Sequence, residues 1–223
     1  MCSSSRLADG TETVLAPHLY RREDESDDEM FYAVPRLVRH IDDEACAALS
    51  RYYRGTLLPG TSVLDLMSSC VSHLPPETSY AEVVGVGMNH AELRENPQLT
   101  RYVVHNLNRD VALPFEDNSF DACTLAVSVQ YLARPIEVLC EVGRVLKPSA
   151  PMVVSYSNRL FPTKAVAIWK MLDDTGHGQL VAHYFEMSGC FDTAKIENIS
   201  PNRGISDPLY VVVANCAINS PTV

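Results

Sequence analysis

Candidate ligand-binding side chains follow five short apolar runs of this sequence. In VLDLMSSCVSHLP, the acid Asp65 ends an apolar run and precedes two hydroxyl groups, those of Ser68 and Ser69. The residues at the ends of the later runs EVVGVG, RYVVHNL, FDACTLAVSV and PMVVSYS include Met88, Asn89, Asn106, Leu107, Ser128, Gln130, Asn158 and Arg159. In an open α/β sheet, ligands bind beyond the carboxyl ends of the parallel strands. The sequence therefore predicts one ligand site that draws on all five runs.

The apolar runs alternate with helical patterns. IDDEACAALSRYYRGTLL predicts a helix that Asp42 or Asp43 caps, and RPIEVLCEVGRVLKP predicts another that begins at Pro135 and ends at Pro148. Strands that alternate with helices favour a doubly wound α/β fold, with a mostly parallel sheet covered on both faces. The runs FDTAKIENI and LYVVVANCA have no helix between them, so we expect them to pair antiparallel.

Composition narrows the functional classes. The chain has 223 residues, 46% of them hydrophobic, which suits one globular domain with a sizeable core. Its formal charge of -10 disfavours nucleic acid as a partner, because like charges repel. The scattered cysteines lack CxxC spacing, so we expect no metal site and mostly buried, reduced thiols in the cytoplasm; an organelle is the alternative. We expect no membrane span, because no apolar run is long enough.

The first 30 residues differ in composition from the rest of the chain. They are polar and include RREDESDDEM, a run of charges. This pattern predicts a flexible leader over residues 1–30 that contributes little to stability, with an acidic docking segment as the alternative. No repeat or low-complexity linker divides residues 31–223, so we expect these to form a single domain.

A long ordered motif resembles a known enzyme family. LPFEDNSFDACTLAVSVQYLARPIEVLCEVGRVLKPSAPMVVSYSN is similar to the class I S-adenosylmethionine-dependent methyltransferases, in particular to their type 11 subgroup, and the resemblance covers roughly Val63 to Ala214. It implies a Rossmann-like methyltransferase sandwich with a seven-stranded, mostly parallel sheet and an antiparallel last strand. It also implies S-adenosylmethionine as the cofactor and a small molecule or metabolite as the methyl acceptor.

The same resemblance assigns roles to residues. Asp65 matches the acid that faces the methionine end of the cofactor, Met88 offers an apolar surface to adenine, and Asn106 matches the position that hydrogen-bonds the adenine amino group. The implied cofactor-binding set is Asp65, Met67, Ser68, Ser69, Met88, Asn89, Asn106, Leu107 and Ser128. The candidate acceptor-binding residues are Gln130, Asn158 and Arg159. Methyl transfer requires no universal base, so the motif assigns no catalytic residue.

The loop after Asp65 departs from the family pattern. Met67, Ser69 and Val71 stand where the family has the glycines of a GxGxG turn. Glycines there permit positive φ and close approach of the backbone to the ligand, whereas the β-branched Val71 disfavours positive φ. We expect the loop MSSCVS to form a strand-to-helix turn whose hydroxyl groups replace some of the lost backbone contacts.

The second departure concerns the ribose of the cofactor. Gly87 stands where the family has an acid that grips the ribose hydroxyls, and its loss forgoes roughly 2–4 kcal/mol. Asn89, two residues further on, is a candidate for one of these contacts. The departures leave open whether the cofactor binds at all. A non-catalytic relative that senses a ligand or serves as a scaffold for a protein partner is therefore the alternative to a methyltransferase.

Two more positions allow alternative interpretations. His73 lies just beyond the altered loop, either as a hydrogen-bonded structural histidine or as a base or acceptor contact. Lys164, in SNRLFPTKAVAIW, is either a solvated residue at a helix start or part of the acceptor site.

Overall fold

The computed structural model describes residues 16–217. The strands of this part of the chain are β1 Ser62–Leu66, β2 Glu82–Gly87, β3 Arg101–Val104, β4 Ala122–Ala126, β5 Pro151–Tyr156, β6 Lys195–Asn198 and β7 Tyr210–Asn215. They form one seven-stranded sheet in the order β3-β2-β1-β4-β5-β7-β6. The strands β1 to β5 run parallel, and β7 pairs antiparallel with both β5 and β6. The predicted sheet and the antiparallel ending are confirmed.

Helices cover both faces of the sheet. They are α1 Asp28–Phe31, α2 Asp43–Thr56, α3 His90–Arg94, α4 Pro135–Val145, α5 Ala167–Lys170 and α6 Asp174–Ser188, with 3-10 turns at Pro17–Tyr20 and Val129–Tyr131. One apolar cluster joins Leu49 and Tyr53 of α2 to the sheet. A larger cluster on the other face contains Val142 of α4 and Phe185 of α6. The predicted doubly wound arrangement is therefore present.

Helix α2 begins where the sequence predicts. The Asp42 carboxylate accepts a hydrogen bond of 2.8 Å from the backbone N–H of Ala45, which satisfies one of the free donors at the helix start. Asp42 also accepts from the backbone N–H of Asp207, close to the far end of the chain. This double contact fixes the residues just before α2 beside the carboxyl edge of the sheet.

The connection between β1 and β2 differs from the prediction. Residues 67–81 run as irregular chain without a helix, so the expected strand-to-helix turn is wrong. The prolines of HLPPET oppose a helix here because proline lacks the N–H donor that a helix interior needs. The loop is instead fixed by amides from beyond β2: Asn96 donates to the Ser69 carbonyl at 2.9 Å, and Gln98 to the Leu74 carbonyl at 2.7 Å. No helix start faces the sheet edge after β1.

The polar segment at residues 16–30 also differs from the prediction. Instead of forming a free leader, it packs on the domain around Lys164, whose side chain is fully buried. The ammonium group of Lys164 lies 3.2 Å from carboxylate oxygens of both Asp24 and Asp28, and donates to the Ser26 carbonyl at 2.8 Å. Residues 1–15 of the predicted leader lie outside the described residues. The interpretation of Lys164 as a solvated residue is wrong as well.

Cysteine use agrees in part with the expectation of reduced thiols. Cys46, Cys70, Cys123, Cys190 and Cys216 are free. Cys140 is disulfide-bonded, contrary to that expectation. No helix among residues 16–217 is long and apolar enough to cross a membrane.

The first prediction concerns the buried charges that hold residues 16–30. Burial disfavours the charged form of Asp28, but hydrogen bonds from Arg22 and Asn108 outweigh it and keep the pKa of Asp28 below its usual value. Asp28→Ala would leave Lys164 buried with a weakened partner set. We expect a loss of about 3 kcal/mol in the free energy of unfolding, measured by urea denaturation.

The matched control is Glu29→Ala. Glu29 is the next residue along the chain and makes only an exposed ion pair with Arg109, so it should cost less than about 1 kcal/mol. Equal losses for the two variants would show that the segment contributes no buried electrostatic stabilisation.

Candidate functional site

The carboxyl ends of the central strands surround one cavity of about 530 Å³. Among the residues that line it are all nine implied for cofactor binding: Asp65, Met67, Ser68, Ser69, Met88, Asn89, Asn106, Leu107 and Ser128. The predicted convergence is therefore present. The cavity falls within the range of small-molecule sites, and residues 28–42 together with Arg159 and Asp207 complete its walls.

The three candidate acceptor-binding residues separate in the structure. Arg159 lines the cavity and donates to the Asp207 carboxylate at 2.8 Å. Gln130 does not line it; the side chain is fully buried and donates to the Val127 carbonyl at 2.9 Å, holding the turn after β4. Asn158 is exposed and lies outside the lining. Neither Gln130 nor Asn158 is among the residues that line the cavity, so their acceptor contacts stay predictions.

Asp65 carries a buried charge at the base of the cavity. Only 2% of the residue is exposed, and its carboxylate accepts hydrogen bonds from Ser68 at 2.5 Å and Thr124 at 3.1 Å. Burial raises the pKa of Asp65 to about 6, against these hydrogen bonds, which lower it. No Lys, Arg or His of the described chain forms an ion pair with this carboxylate. A buried carboxylate without a cation is a common mark of a functional site.

The loop that replaces the glycine turn follows its own path. Left-handed backbone occurs at Met67, with φ of 54°, and at His73, with φ of 57°, whereas Val71 escapes the predicted strain. The two serine hydroxyls are engaged by the protein itself: Ser68 donates to Asp65, and Ser69 donates to Glu92 at 2.6 Å. The expectation that these hydroxyls take over ligand contacts is therefore not supported by their orientation.

Steric crowding, rather than electrostatics, explains why position 87 is a glycine. The Ser68 backbone N–H donates to the Val86 carbonyl at 2.8 Å, which brings the loop against the end of β2. A Cβ atom added at Gly87 would lie 2.2 Å from the Ser68 carbonyl oxygen. The volume that an acid at this position would need is filled by the loop backbone. Restoring the family's acid by Gly87→Asp would displace the loop instead of recovering a ribose contact.

The Asn89 side chain also makes its hydrogen bonds within the protein. Its side-chain oxygen accepts from the backbone N–H groups of Ala91 and Glu92, capping α3. Its amide nitrogen donates to the Tyr32 carbonyl at 2.7 Å. The side chain thus ties residues 31–33 to the end of β2, and the predicted contact with a ribose hydroxyl would have to break these bonds.

Glu92 is a cavity residue that the sequence analysis missed. It is 7% exposed, accepts from Ser69 and from the backbone N–H of Arg36 at 2.7 Å, and lines the cavity. The pattern Asn89-x-x-Glu92 matches a capping box and so predicts a local role for the acid. Only the Asn89 half of that role is present, and the Glu92 carboxylate turns towards the cavity instead.

Two polar groups of the cavity have unused hydrogen-bonding capacity within the described chain. The Ser128 hydroxyl is buried and has no partner there. The Asn106 side-chain oxygen accepts from the Asn108 backbone at 3.0 Å, but its amide nitrogen donates to no described residue. Between β4 and Ser128, the β-branched Val127 adopts φ of 45°, a strained conformation that costs of order 1–3 kcal/mol. Strain and unpaired polar atoms at one place favour a ligand there.

Residues outside the sequence motifs supply the outer wall of the cavity. The analysis of the sequence assigned none of them to a site except His73 and Arg159. They are Tyr32, Arg36, Arg39, His40, His73, Tyr131, Arg159 and Phe161. Half of them come from residues 28–42, which the sequence pattern treats as a leader or a connection.

Known proteins share parts of this sequence. Residues 68–154 match the family model described as "Methyltransferase domain". A demethylmenaquinone methyltransferase from Renibacterium salmoninarum is 30% identical over 99 residues, which make up 44% of this chain and 42% of that protein. The C-methyltransferase UbiE of ubiquinone/menaquinone biosynthesis from Bartonella quintana is 32% identical over 124 residues, 54% of this chain and 42% of that protein. The matched part spans less than half the length of these curated relatives.

The fold has known counterparts too. The crystal structure of a SAM-dependent methyltransferase from Aquifex aeolicus superimposes with a TM-score of 0.56 at 16% identity, over 78% of this chain and 92% of that one. Sheet order, sequence match and relatives agree with each other. Residues 68–154 match a methyltransferase domain of the type 11 kind, and the described part of the chain has the fold of the class I S-adenosylmethionine-dependent methyltransferases.

The second prediction tests the contact between the loop and β2. Gly87→Ala places a methyl group against the Ser68 backbone, which cannot rotate away, so we expect a loss of about 2–3 kcal/mol in the free energy of unfolding. Gly85→Ala, on the same strand, is the control: its methyl group would meet the Leu99 side-chain tip, which can move. Thermal unfolding measures both. A smaller loss for Gly87→Ala than for Gly85→Ala would contradict the tight approach of the loop.

The third prediction concerns the pKa of Asp65. Because this pKa is raised to about 6, the folded protein holds a proton between about pH 4 and pH 6 that the unfolded chain has released. The buried carboxylate therefore lowers stability as pH rises through this window, and the deficit persists above it. Asp65→Asn removes the titration, so its stability relative to the wild type should increase by about 2–3 kcal/mol between pH 4 and pH 7.

Urea unfolding at the two pH values gives this difference directly. Asp110→Asn, at an exposed position outside the cavity, is the control and should follow the wild type at both. A pH-independent effect of Asp65→Asn would mean that Asp65 is not charged and buried as described.

Proposed function

We propose that the cavity binds S-adenosylmethionine and that the protein transfers its methyl group to a small-molecule acceptor. The observation that carries this proposal is Asp65, a buried carboxylate without a cationic partner among the described residues, at the base of a cavity of about 530 Å³. S-adenosylmethionine carries an ammonium group and a sulfonium group. A ligand cation near Asp65 would lower the pKa of this carboxylate and offset the cost of burying it.

Other lining residues fit the remaining parts of the cofactor. Met88 and Leu107 offer apolar surface for an adenine ring, and the free amide N–H groups of Asn106 are suited to a ring nitrogen. The unpaired hydroxyl of Ser128 is available to a polar group of the methionine part. The ribose is the exception, since the position of the family's acid is Gly87 and its space is filled.

Glu92 is the residue we propose for the ribose in place of that acid. Each of its carboxylate oxygens accepts one hydrogen bond, from Ser69 or from the Arg36 backbone, and a carboxylate oxygen has capacity for a second. Glu92 forms no ion pair within residues 16–217. Two neighbouring hydroxyl groups of a ribose match these remaining acceptor sites.

The protein's own residues then serve binding and positioning. The bound cofactor supplies an activated methyl group on a positively charged sulfur. The residues of the chain hold this group at the carboxyl edge of the sheet, and residues 28–42 cover the cavity and exclude water. The relatives are named for quinone biosynthesis, which supports a small molecule rather than a macromolecule as the acceptor. The cytoplasmic location stays a prediction: the five free thiols among residues 16–217 favour it, and the disulfide at Cys140 does not.

The non-catalytic alternative has one observation in its favour. The hydroxyls of Ser68 and Ser69 and the amide of Asn89 are engaged by the protein itself, and the Ser68 carbonyl fills the ribose-acid position. A protein that keeps the fold as a sensor or scaffold has no need of a cofactor in this place. Cofactor binding therefore separates the two functions.

The fourth prediction is a calorimetric titration with S-adenosylmethionine. We expect saturable binding that Asp65→Asn weakens by at least tenfold, since a hydrogen bond to a charged group contributes about 1.5–3 kcal/mol. Asn158→Ala, at an exposed position outside the cavity, is the control and should bind like the wild type. If the wild type does not bind at millimolar ligand, the methyltransferase proposal is wrong and the scaffold alternative replaces it.

The fifth prediction is a double-mutant cycle for the ribose. Wild type and Glu92→Gln are titrated with adenosine and with 2′,3′-dideoxyadenosine. The wild type should prefer adenosine by about tenfold, because two hydroxyls would pair with a carboxylate, and Glu92→Gln should lose most of this preference. An unchanged preference in Glu92→Gln would remove Glu92 from the ribose site without affecting the assignment of Asp65.

A further inference from the structure

The outer part of the cavity contains four basic residues that come from two segments. We call Arg36, Arg39, His40 and His73 the basic cluster. The first three precede α2, and His73 belongs to the irregular loop after β1. All four line the cavity. Nothing in the methyltransferase motif accounts for them.

The imidazole of His73 is buried without a hydrogen-bond partner in the described chain. The residue is 8% exposed, and no hydrogen bond within the described chain holds its ring nitrogens. Burial, together with the nearby Arg39 and His40, lowers the pKa of His73 to about 4. A neutral imidazole with one N–H donor and one acceptor nitrogen therefore faces the cavity without a partner. Its left-handed backbone adds local strain, which is common at ligand sites.

The pKa of His40 is lowered as well. Burial lowers the pKa of His40, Glu92 raises it, and Arg36 lowers it again, with a net decrease. Its ring packs edge-on against Phe161, with 5.5 Å between the ring centroids. The cationic form of both imidazoles is thus disfavoured by burial first, and then by the guanidinium groups beside them.

The two arginines have no buried carboxylate to neutralise them. The Arg36 guanidinium lies over the rings of Phe31 and Phe161, at 4.6 and 5.2 Å from their centroids, and forms no ion pair with a described residue. Arg39 pairs with Asp43, but both side chains are more than half exposed, at 52% and 79%, so solvent screens this pair.

The neighbouring acids accept hydrogen bonds from the protein itself. Glu92 accepts from Ser69 and from the Arg36 backbone. Asp207 accepts from the Arg159 side chain and from the Asp42 backbone N–H. Glu92 and Asp207 keep their negative charges, so this part of the cavity contains both signs. The guanidinium group of Arg36 pairs with no carboxylate of residues 16–217.

Aromatic rings form the wall beside the basic cluster. The Tyr131 ring is tilted by 30° against Phe161, with 5.8 Å between centroids, and Tyr32 meets Phe161 edge-on. Tyr32, Tyr131 and Phe161 all line the cavity. Flat rings of this kind, together with a stacked guanidinium, favour a planar ligand.

We propose that the basic cluster binds the methyl acceptor, and that this acceptor is a small aromatic acid held by its anionic oxygen. The inference rests on the proposed methyltransferase function and specifies its substrate class. An anion there would find the guanidinium groups of Arg36 and Arg39 and the unpaired imidazole of His73. Its ring would lie against the aromatic wall.

The charge state of the acceptor also fits the chemistry. When an already deprotonated oxygen attacks the sulfonium methyl group, an oxygen–carbon bond forms and the sulfur–carbon bond breaks. The electron pair of that bond stays on sulfur, which gives neutral S-adenosylhomocysteine and a methylated acceptor. No proton has to be removed, so the weak basicity of His73 is no obstacle.

The experiment compares benzoate with benzamide, two planar probes of nearly equal shape that differ in charge. Both are titrated into the full-length protein by NMR, with and without S-adenosylmethionine. We expect benzoate to bind at least fivefold more tightly than benzamide. Arg39→Gln should reduce this preference to less than twofold. His73→Gln should weaken benzoate binding by at least threefold, as loss of an imidazole contact requires.

The matched control is Arg54→Gln. Arg54 is an exposed arginine of α2 that pairs with Glu77 and does not line the cavity, so this variant should keep the full preference for benzoate. Equal binding of the two probes, absence of binding, or loss of preference in the control as well would overturn the proposal. If S-adenosylmethionine binds while benzoate is not preferred, the acceptor class alone is wrong. If benzoate is preferred while S-adenosylmethionine does not bind, the acid site stands and the methyltransferase function falls.

Discussion

The whole site depends on the contact between the Ser68 backbone and the end of β2. The Ser68 N–H donates to the Val86 carbonyl, and its own carbonyl occupies the space beside Gly87 where a side chain would otherwise project. Because the loop is anchored here, Ser68 reaches Asp65 and Ser69 reaches Glu92. Because Gly87 has no side chain, the loop can pack against the end of β2. This packing takes the place of the glycine turn after β1 and of the acid after β2. The cavity keeps its place in the fold while its polar contacts are redistributed.

The redistribution leaves charged groups of both signs in the cavity, and neither Asp65 nor Arg36 forms an ion pair within residues 16–217. Asp65 is buried without a cation at the inner end, and the arginines before α2 surround neutral imidazoles at the outer end. A buried charge without a counter-ion is unfavourable and destabilises the empty protein. A folded protein tolerates such costs where binding of a ligand offsets them. The unpaired carboxylate of Asp65 thus favours a cationic group of a ligand, and the unpaired guanidinium group of Arg36 favours an anionic one.

The sequence predicts the sheet well and the site only in part, for physical reasons that differ between elements. The strands and α2 follow from local patterns, namely apolar runs and the Asp42 cap, and both are confirmed. The segment at residues 16–30 is stabilised by Lys164, which lies more than a hundred positions away, so no local pattern reveals that its charges are buried. In the sequence, Gly87 is interpreted as the loss of an acid. The structure shows instead that the Ser68 carbonyl fills the space of a side chain there. The spacing of Asn89 and Glu92 predicts that Glu92 caps a helix. Spacing alone does not show that its carboxylate faces the cavity.

The covering segment links the stability of the protein to the occupancy of the cavity. Asp28 both pairs with the buried Lys164 and lines the cavity, and Asn89 ties the neighbouring Tyr32 to the end of β2. A ligand that contacts residues 28–42 therefore adds to the interactions that hold this segment in place. A ligand that binds only the folded state stabilises that state by mass action. Conversely, a change that loosens the Lys164 ion pairs would weaken ligand binding without touching the ligand. The charged segment that resembles a disposable leader in the sequence is, in the folded protein, one wall of the site.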